Sequence, residues 1–393
     1  MVFDLDLCES RDMSPTEEAD SWLAASERAR ASGDWGEAIA CVDRAEARVG
    51  ALLPLALRRI TLLRESARFD EALAGCQSVL SEHPFCADAH LADGFVRLLR
   101  GDWREGWSRR EWRWRQPEFR RLIPTGLPAW DGGPAPGRRL RVVHEQGLGD
   151  LIQFSRYLPA IRQRVGSLVV ETPRPLLSLM RASFAEIEFE PVGNPVQADL
   201  WVGLMSLPER LAATLQTIPS SGGYLSWPEP DPPIGKGTSE RLRIGLAPAG
   251  NPGHLNDRFR SIPAASWAPL SGLTGVEWFR VQPEVEERYL PQVPMGSPPW
   301  PLDDFAATAR WMATLDLVVT VDTSVAHLAG ALGVPVWILL PFAPDWRWGI
   351  SGEESYWYRS ARLFRQDRAG DWAPVLDALV SALQLHPNRP HGH

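Results

Sequence analysis

"LVVTVDTSVAHLAGALGVPVWILL", residues 317–340, reads as strand, turn, helix, turn and strand, with punctuation at every joint. The runs 315–321 and 335–340 are short and apolar, as buried strands are. Asp322 follows the first strand and is placed to cap the helix. Thr323 and Ser324 occupy the first turn, and Gly333 with Pro335 ends it. Two strands joined through a helix run parallel, so the stretch predicts an α/β layer. The free N–H groups and hydroxyls at such a helix start make an anion site for a phosphate or pyrophosphate. Asp322 should not face that anion, because like charges repel at short range. Capping is therefore its role, and Thr323, Ser324 and the helix amides face the phosphate. His327 lies about 7.5 Å further along the axis. It either reaches a phosphate oxygen or sugar hydroxyl, or packs under the sheet.

The same texture extends in both directions. "LRVVHE" (140–145), 167–171, 187–191 and 199–203 read as strands, with helices over 149–164 and around 175–182. A Pro/Gly/Ser-rich stretch, 217–240, then precedes a second series. That series has strands at 242–248 and 276–282, a helix at 303–314 and the opening unit. A last helix, 371–385, is expected to cross back to the first half. Two α/β halves, 140–225 and 240–386, predict a ligand cleft between the strand ends of both. "EQGLGDLIQF" (145–154) has the outline of a dinucleotide loop, yet Ile152 stands where the third glycine belongs. Asp150 falls at the helix start instead, where it either caps the helix or meets a substrate.

The first third is periodic. "GDWGEAIA" (33–40), "ARFDEALA" (67–74) and "GDWREGWS" (101–108) align Trp35, Phe69 and Trp103 at intervals of 34 residues. Glu37, Glu71 and Glu105 keep that interval, as do the small residues Ala38, Ala72 and Gly106, which let paired helices approach closely. This spacing resembles tetratricopeptide repeats, and it implies an α-helical superhelix over 15–120. A linker, 121–139, follows. "RREWRWRQPEFRRLIP" (109–124) allows two readings. It is a patch for nucleic acid or an acceptor, or it cements the last repeat to the next domain, Arg stems on Trp faces. Interspersed acids favour the second.

At 393 residues the chain has room for two or three domains. Its net charge of −8 offers no bulk attraction to nucleic acid. No apolar run is long enough to span a membrane, and the acidic start shows no signal peptide. Cys8, Cys41, Cys76 and Cys86 form no CxxC pair and read as reduced thiols of a cytoplasmic protein.

"VDTSVAHLAGALGVP" resembles the Asp-Thr-[Gly/Ser]-x-x-His-Leu motif of glycosyltransferase family 9, the ADP-heptose:lipopolysaccharide heptosyltransferases. "GLGDLIQFSRYLPAI" resembles that family's first loop, and "NDRFRSIP" (256–263) its basic-residue–x–x–Pro segment. The whole layout resembles bacterial TPR proteins with a heptosyltransferase-like domain. The resemblance implies a GT-B fold of two Rossmann-like domains with parallel sheets, an N-terminal acceptor half and a C-terminal donor half. It implies no cofactor beyond a nucleotide-sugar co-substrate and no obligatory metal; Asp303-Asp304 is not a strand-end Asp-x-Asp site. Asp150 matches the family's catalytic aspartate, with Glu145 the second candidate base. His144 points into structure. Arg260 matches the cation that stabilises the leaving diphosphate, and Asn256, Gln282, Asp322, Thr323, Ser324 and His327 complete the donor side. Gln146, Gly147 and Gly149 form an acceptor-side loop, the glycines allowing close approach.

"PFAPDWRW" (341–348) brings Asp345, Trp346 and Trp348 to the sugar; Trp346 or Trp348 stacks on its ring, or both pack under the loop. One departure stands out. Members with TPR repeats often read Leu-Gln-Lys-Gly where this chain has "VQPE" (281–284), so Pro283 replaces a cation. The leading expectation is an inverting glycosyltransferase whose repeats recruit a protein acceptor. A non-catalytic scaffold and a sugar-nucleotide epimerase are the alternatives.

Overall fold

A computed structural model of the chain describes residues 14–219, 222–228, 241–253 and 256–386. Cys8 and, within the 217–240 stretch, residues 220–221 and 229–240 lie outside these. Cys41, Cys76 and Cys86 are free thiols. The chain divides into two compact units, Met1–Val96 and Arg97–His393.

The first unit is helical among its described residues. α1 (Pro15–Ser32) packs on α2 (Trp35–Val49), and α3 (Leu53–Glu65) on α4 (Phe69–Glu82). α5 (Ala87–Leu99) runs into the second unit, which opens with α6 (Trp103–Arg110). The 34-residue period thus marks equivalent positions. Trp35, Phe69 and Trp103 each begin a helix, and Ala38 and Ala72 have no exposed surface. In the first turn Gly33 adopts φ +80° to end α1, and the Asp34 carboxylate accepts from Glu37 N–H at 3.0 Å. Neighbouring pairs are tied by Arg30, whose guanidinium grips both Glu65 oxygens at 2.6 Å.

The second unit holds both α/β halves. After α7 (Pro117–Arg120), the first comprises β1 (Ala135–Val143), α8 (Leu148–Phe154), α9 (Leu158–Arg162), β2 (Val165–Thr172), α10 (Leu177–Ser183), β3 (Glu188–Pro191), β4 (Leu200–Gly203) and α11 (Leu207–Arg210). Its parallel sheet has the order β3-β2-β1-β4. The second half begins with β5 (Leu242–Ala247), α12 (Asp257–Arg260), β6 (Val276–Arg280) and the short β7 (Met295–Gly296). It ends with α13 (Phe305–Met312), β8 (Leu317–Val321), α14 (Ser324–Leu332), β9 (Val336–Leu340), β10 (Ala361–Arg365) and α15 (Ala373–Gln384). Its six strands are also all parallel, in the order β10-β9-β8-β5-β6-β7. The opening stretch of the sequence is thus β8–α14–β9, with Val318 opposite Val336.

Four expectations are corrected. β1 begins at Ala135, inside the expected linker, with an irregular register between Ala135 and Arg139. The helix expected over 149–164 breaks into α8, a tight turn at Ser155–Tyr157, and α9. Pro159 is the cause, since it lacks an N–H and its ring opposes the carbonyl four residues earlier. The last helix does not cross back: Leu376, Leu379 and Leu383 of α15 join the core of the second sheet with Leu246, Val319 and Leu339. The helical region also does not end as a separate body at 120. Trp103 of α6 stacks on Trp357 at 4.9 Å, and Trp107 meets Trp346 edge-on at 5.2 Å and Phe154 at 6.0 Å. Burial of two indoles on one helix face makes α6 part of the α/β unit.

Gly106 shows how close that packing is. A Cβ there would lie 2.7 Å from Leu98 Cγ and Cδ2 and 3.1 Å from the Leu98 nitrogen, whereas Gly36 on α2 meets only Asp34 Oδ1 at 3.6 Å. In chemical denaturation, Gly106→Ala should lose about 1–3 kcal/mol to overpacking. Gly36→Ala should gain about 0.5–1 kcal/mol from helix propensity.

Candidate active site

The Arg/Trp-rich segment is built as cement. Arg113, 1% exposed, donates from Nε to Glu145 Oε2 at 2.6 Å and from a terminal nitrogen to Glu145 Oε1 at 2.9 Å. It also reaches Glu111 and the Ser206 hydroxyl, both at 2.7 Å. The Arg113 guanidinium lies over Trp114 and that of Arg115 over Trp112, at 4.7 and 4.3 Å. Glu145 accepts a further bond from Met205 N–H at 2.8 Å. A carboxylate sealed from water with both oxygens engaged is not a general base, so Glu145 is withdrawn from the catalytic set. The neighbouring His144 is half-buried, and burial pushes its pKa down.

The loops that follow β1, β5, β8 and β9 converge. Gly147 N–H donates to Asp150 Oδ2 at 2.7 Å across the first turn of α8. Oδ1 of the same carboxylate is gripped by Arg347. Arg347 also donates to Gln153 Oε1 at 2.6 Å and Asp345 Oδ1 at 2.7 Å, and its guanidinium lies 4.4 Å from the Trp346 ring centroid. Gln146 is exposed and held at φ +65°, which a side chain rarely adopts. Gly149 has a different purpose from the one expected. A Cβ there would lie 2.9 Å from His327 Cδ2 and 3.4 Å from Ser324 Cα, so its bare face admits α14 rather than an acceptor.

At the start of α14 the roles shift by one residue. Thr323, not Asp322, is the N-cap: its hydroxyl accepts from Val325 N–H at 3.1 Å. The Asp322 carboxyl is pushed up to about 6 by burial and the nearby Asp345, against the pull of Arg260 and Arg347. His327 shares a 2.8 Å hydrogen bond with the Tyr358 hydroxyl through Nδ1 and stacks on Trp348 at 5.4 Å. Burial, with Arg347 and Arg156 nearby, holds its pKa well below the usual range, so it is a packed, neutral imidazole. Ser324 is half-buried at the first turn of α14. Arg260 donates to the Asp322 carbonyl at 2.9 Å and to Asp257 Oδ1 at 3.2 Å, with Asn256 half-buried just before it.

Gln282 donates to the Ala249 carbonyl at 2.9 Å, and its Oε1 is buried with no partner. It borders a cavity of about 520 Å³ lined also by Arg280, Pro283, Trp300 and Asp303. Trp346 and Trp348, 3% and 1% exposed, lie under their loop and offer no face to a sugar. Tyr224 then clasps the halves, its N–H donating to Ala331 of α14 at 2.7 Å and its hydroxyl to Ile152 of α8 at 2.9 Å.

The structure thus brings together Asp150, Gly147, Ser324, Asp322, Asp345 and Arg260, and sets Gln282 by a separate cavity. The residue the sequence reading missed is Arg347. Its only signal was a cation between two tryptophans beside an acid after a strand end. Among the described residues, no three His, Cys, Asp or Glu side chains group as a metal site would need. No described helix is long and apolar enough to cross a membrane.

No family model matches the chain. Protein FlbA of Caulobacter vibrioides is 27% identical over 360 residues, covering 80% of this chain, which spans 58% of that relative's length. Among solved structures, the iron-containing dodecameric glycosyltransferase TibC of enterotoxigenic E. coli aligns at 12% identity and a TM-score of 0.41, covering 62% of this chain and 66% of TibC. A glycosyl transferase family 9 protein of Veillonella parvula aligns at 13% identity and a TM-score of 0.40, covering 64% and 97%. Both likenesses are loose, and the fold stands on strand order and register.

The Arg113–Glu145 pair can be tested directly. Arg113→Met leaves Glu145 buried and uncompensated, and should cost about 3–5 kcal/mol in urea unfolding. Adding Glu145→Gln should recover much of the loss.

Proposed function

We propose that this chain is a metal-independent GT-B glycosyltransferase that moves a sugar from a nucleotide-sugar donor to an acceptor. Its helical pairs, read as TPR repeats, recruit that acceptor, a protein. The observation that carries the reading is the meeting of α8 and α14. Both helices leave the C-terminal ends of parallel strands, where open α/β sheets bind ligands. The Asp150 loop thereby meets the helix start at Ser324, with the cation Arg347 on Asp150 and Arg260 on the Asp322 carbonyl just before it. The motif resemblance supports the same assignment.

In this mechanism Asp150 takes the proton of the acceptor hydroxyl as it attacks the sugar carbon. The sugar–oxygen bond to the nucleotide breaks, and the departing diphosphate is met by Arg260, Arg347 and the Ser324 amide. Both Asp150 oxygens are engaged, one by Gly147 and one by Arg347. A diphosphate offers Arg347 a more highly charged partner, and that exchange frees Asp150. The unpartnered Gln282 Oε1 at the 520 Å³ cavity suits an N–H group of the nucleobase. The rival reading, a scaffold with an inactive α/β unit, draws on Pro283 and on the engaged Asp150 carboxylate.

Transfer and donor-binding assays separate these. Asp150→Asn should lower transfer by about 10²–10⁴-fold, with donor affinity kept or raised because Arg347 is released. Arg260→Met should weaken donor binding by about tenfold or more. Transfer by Asp150→Asn at the wild-type rate would remove the assigned base, and a wild type that binds no nucleotide sugar would favour the scaffold.

The Asp322 carboxyl adds a pH signature. It is neutral below about 6 and negative above it. A nucleotide sugar's diphosphate keeps its charge throughout, so repulsion appears only as pH rises. Donor affinity should fall by about three- to tenfold from about pH 5 to pH 7. Calorimetry on Asp322→Asn should show a flat profile.

A further inference from the structure

Positions 103, 106, 107 and 110 share one face of α6. Trp103 and Trp107 are buried on that face, and Arg110 follows Trp107 by less than one turn. Trp107 packs edge-on against Trp346, and the Arg347 guanidinium lies 4.4 Å from the Trp346 ring centroid. Arg110 therefore approaches the 345–347 loop from the helical side.

Its neighbours are all matched. Arg113 holds Glu145 and Glu111, Arg210 holds Glu111 and Glu209, and Arg347 holds Asp150 and Asp345. Among the described residues Arg110 has no such partner: its Nε is buried without an acceptor, while the residue as a whole is half-buried. Burial, with Arg113 and Arg347 as like charges nearby, presses its pKa down to about 10 against the pull of Asp345 and Glu145, which leaves it charged at neutral pH. Asp345 and Glu145 are already bonded to Arg347 and Arg113, so the third cation of this group stays short of an anion of its own. A planar guanidinium with two free terminal nitrogens suits paired anionic oxygens.

We propose that Arg110 binds an anionic oxygen group, phosphate or carboxylate, of a ligand lodged against the 345–347 loop. The last helix of the repeat region thereby contributes a binding residue to the α/β unit. This goes beyond the glycosyltransferase reading and does not need it.

The test is calorimetric titration of the full chain at fixed ionic strength with inorganic phosphate and with glucuronate, glucose serving as neutral control. The wild type should bind at least one anion saturably and not glucose; which anion binds distinguishes phosphate from carboxylate. Arg110→Met should weaken that binding by about tenfold or more, Arg110→Lys should fall between, and the exposed Arg174→Met should match the wild type. Should Arg110→Met fail to fold, Arg110→Gln gives the same reading. Equal anion affinity in the wild type and the Arg110 variants overturns the proposal, as does a wild type that binds neither anion. Transfer is scored on the same samples. Anion binding that depends on Arg110, in a protein that transfers no sugar, leaves this site standing and removes the transferase reading.

Discussion

The guanidinium of Arg347 joins the two sheets. It belongs to the loop after β9, yet it bonds Asp150 and Gln153 of α8 in the other half as well as Asp345 beside it. Without an acid opposite, so deeply set a cation would be costly; without the cation, Asp150, Asp345 and the buried Asp322 would repel one another. The meeting of α8 and α14 thus depends on a charge balance as much as on shape. The same balance makes the site responsive, since any anion entering the cleft competes with carboxylates for Arg347.

Around this polar centre the chain lays tryptophan. Trp103, Trp107, Trp346 and Trp357 form a continuous aromatic seam with Phe154, and Arg156 spans Tyr224, Trp357 and Tyr358 with its guanidinium near all three rings. Large rigid rings bury much area at little entropic cost. That suits a junction where a helix, a loop and two sheets meet with few regular hydrogen bonds. It also explains why aromatic residues that look like a sugar platform in sequence turn out to be mortar.

The strands and helices were mostly legible, because alternation of apolar runs with Gly and Pro is a local property. The short edge strands β7 and β10 escaped, having no distinctive run of their own. The site was legible in its motifs but not in its roles. Asp150, Arg260 and Ser324 lie on the loops and helix starts that the motifs marked. Glu145, His327, Trp346 and Trp348 proved to be packed, and Thr323 took the cap assigned to Asp322. Apart from the cap, where Thr323 meets Val325 two residues on, these misreadings concerned side chains whose partners are distant in sequence.

The sequence by itself determined the 34-residue helical period and the strand–helix–strand units, which follow from backbone periodicity and short-range punctuation. Only the tertiary structure decided which charges are spent on cohesion and which remain for a ligand. Arg113 meets Glu145 across 32 residues and Arg347 meets Asp150 across 197. Separations of that size leave no trace in local pattern, because burial and electrostatic pairing exist only once the chain has closed on itself.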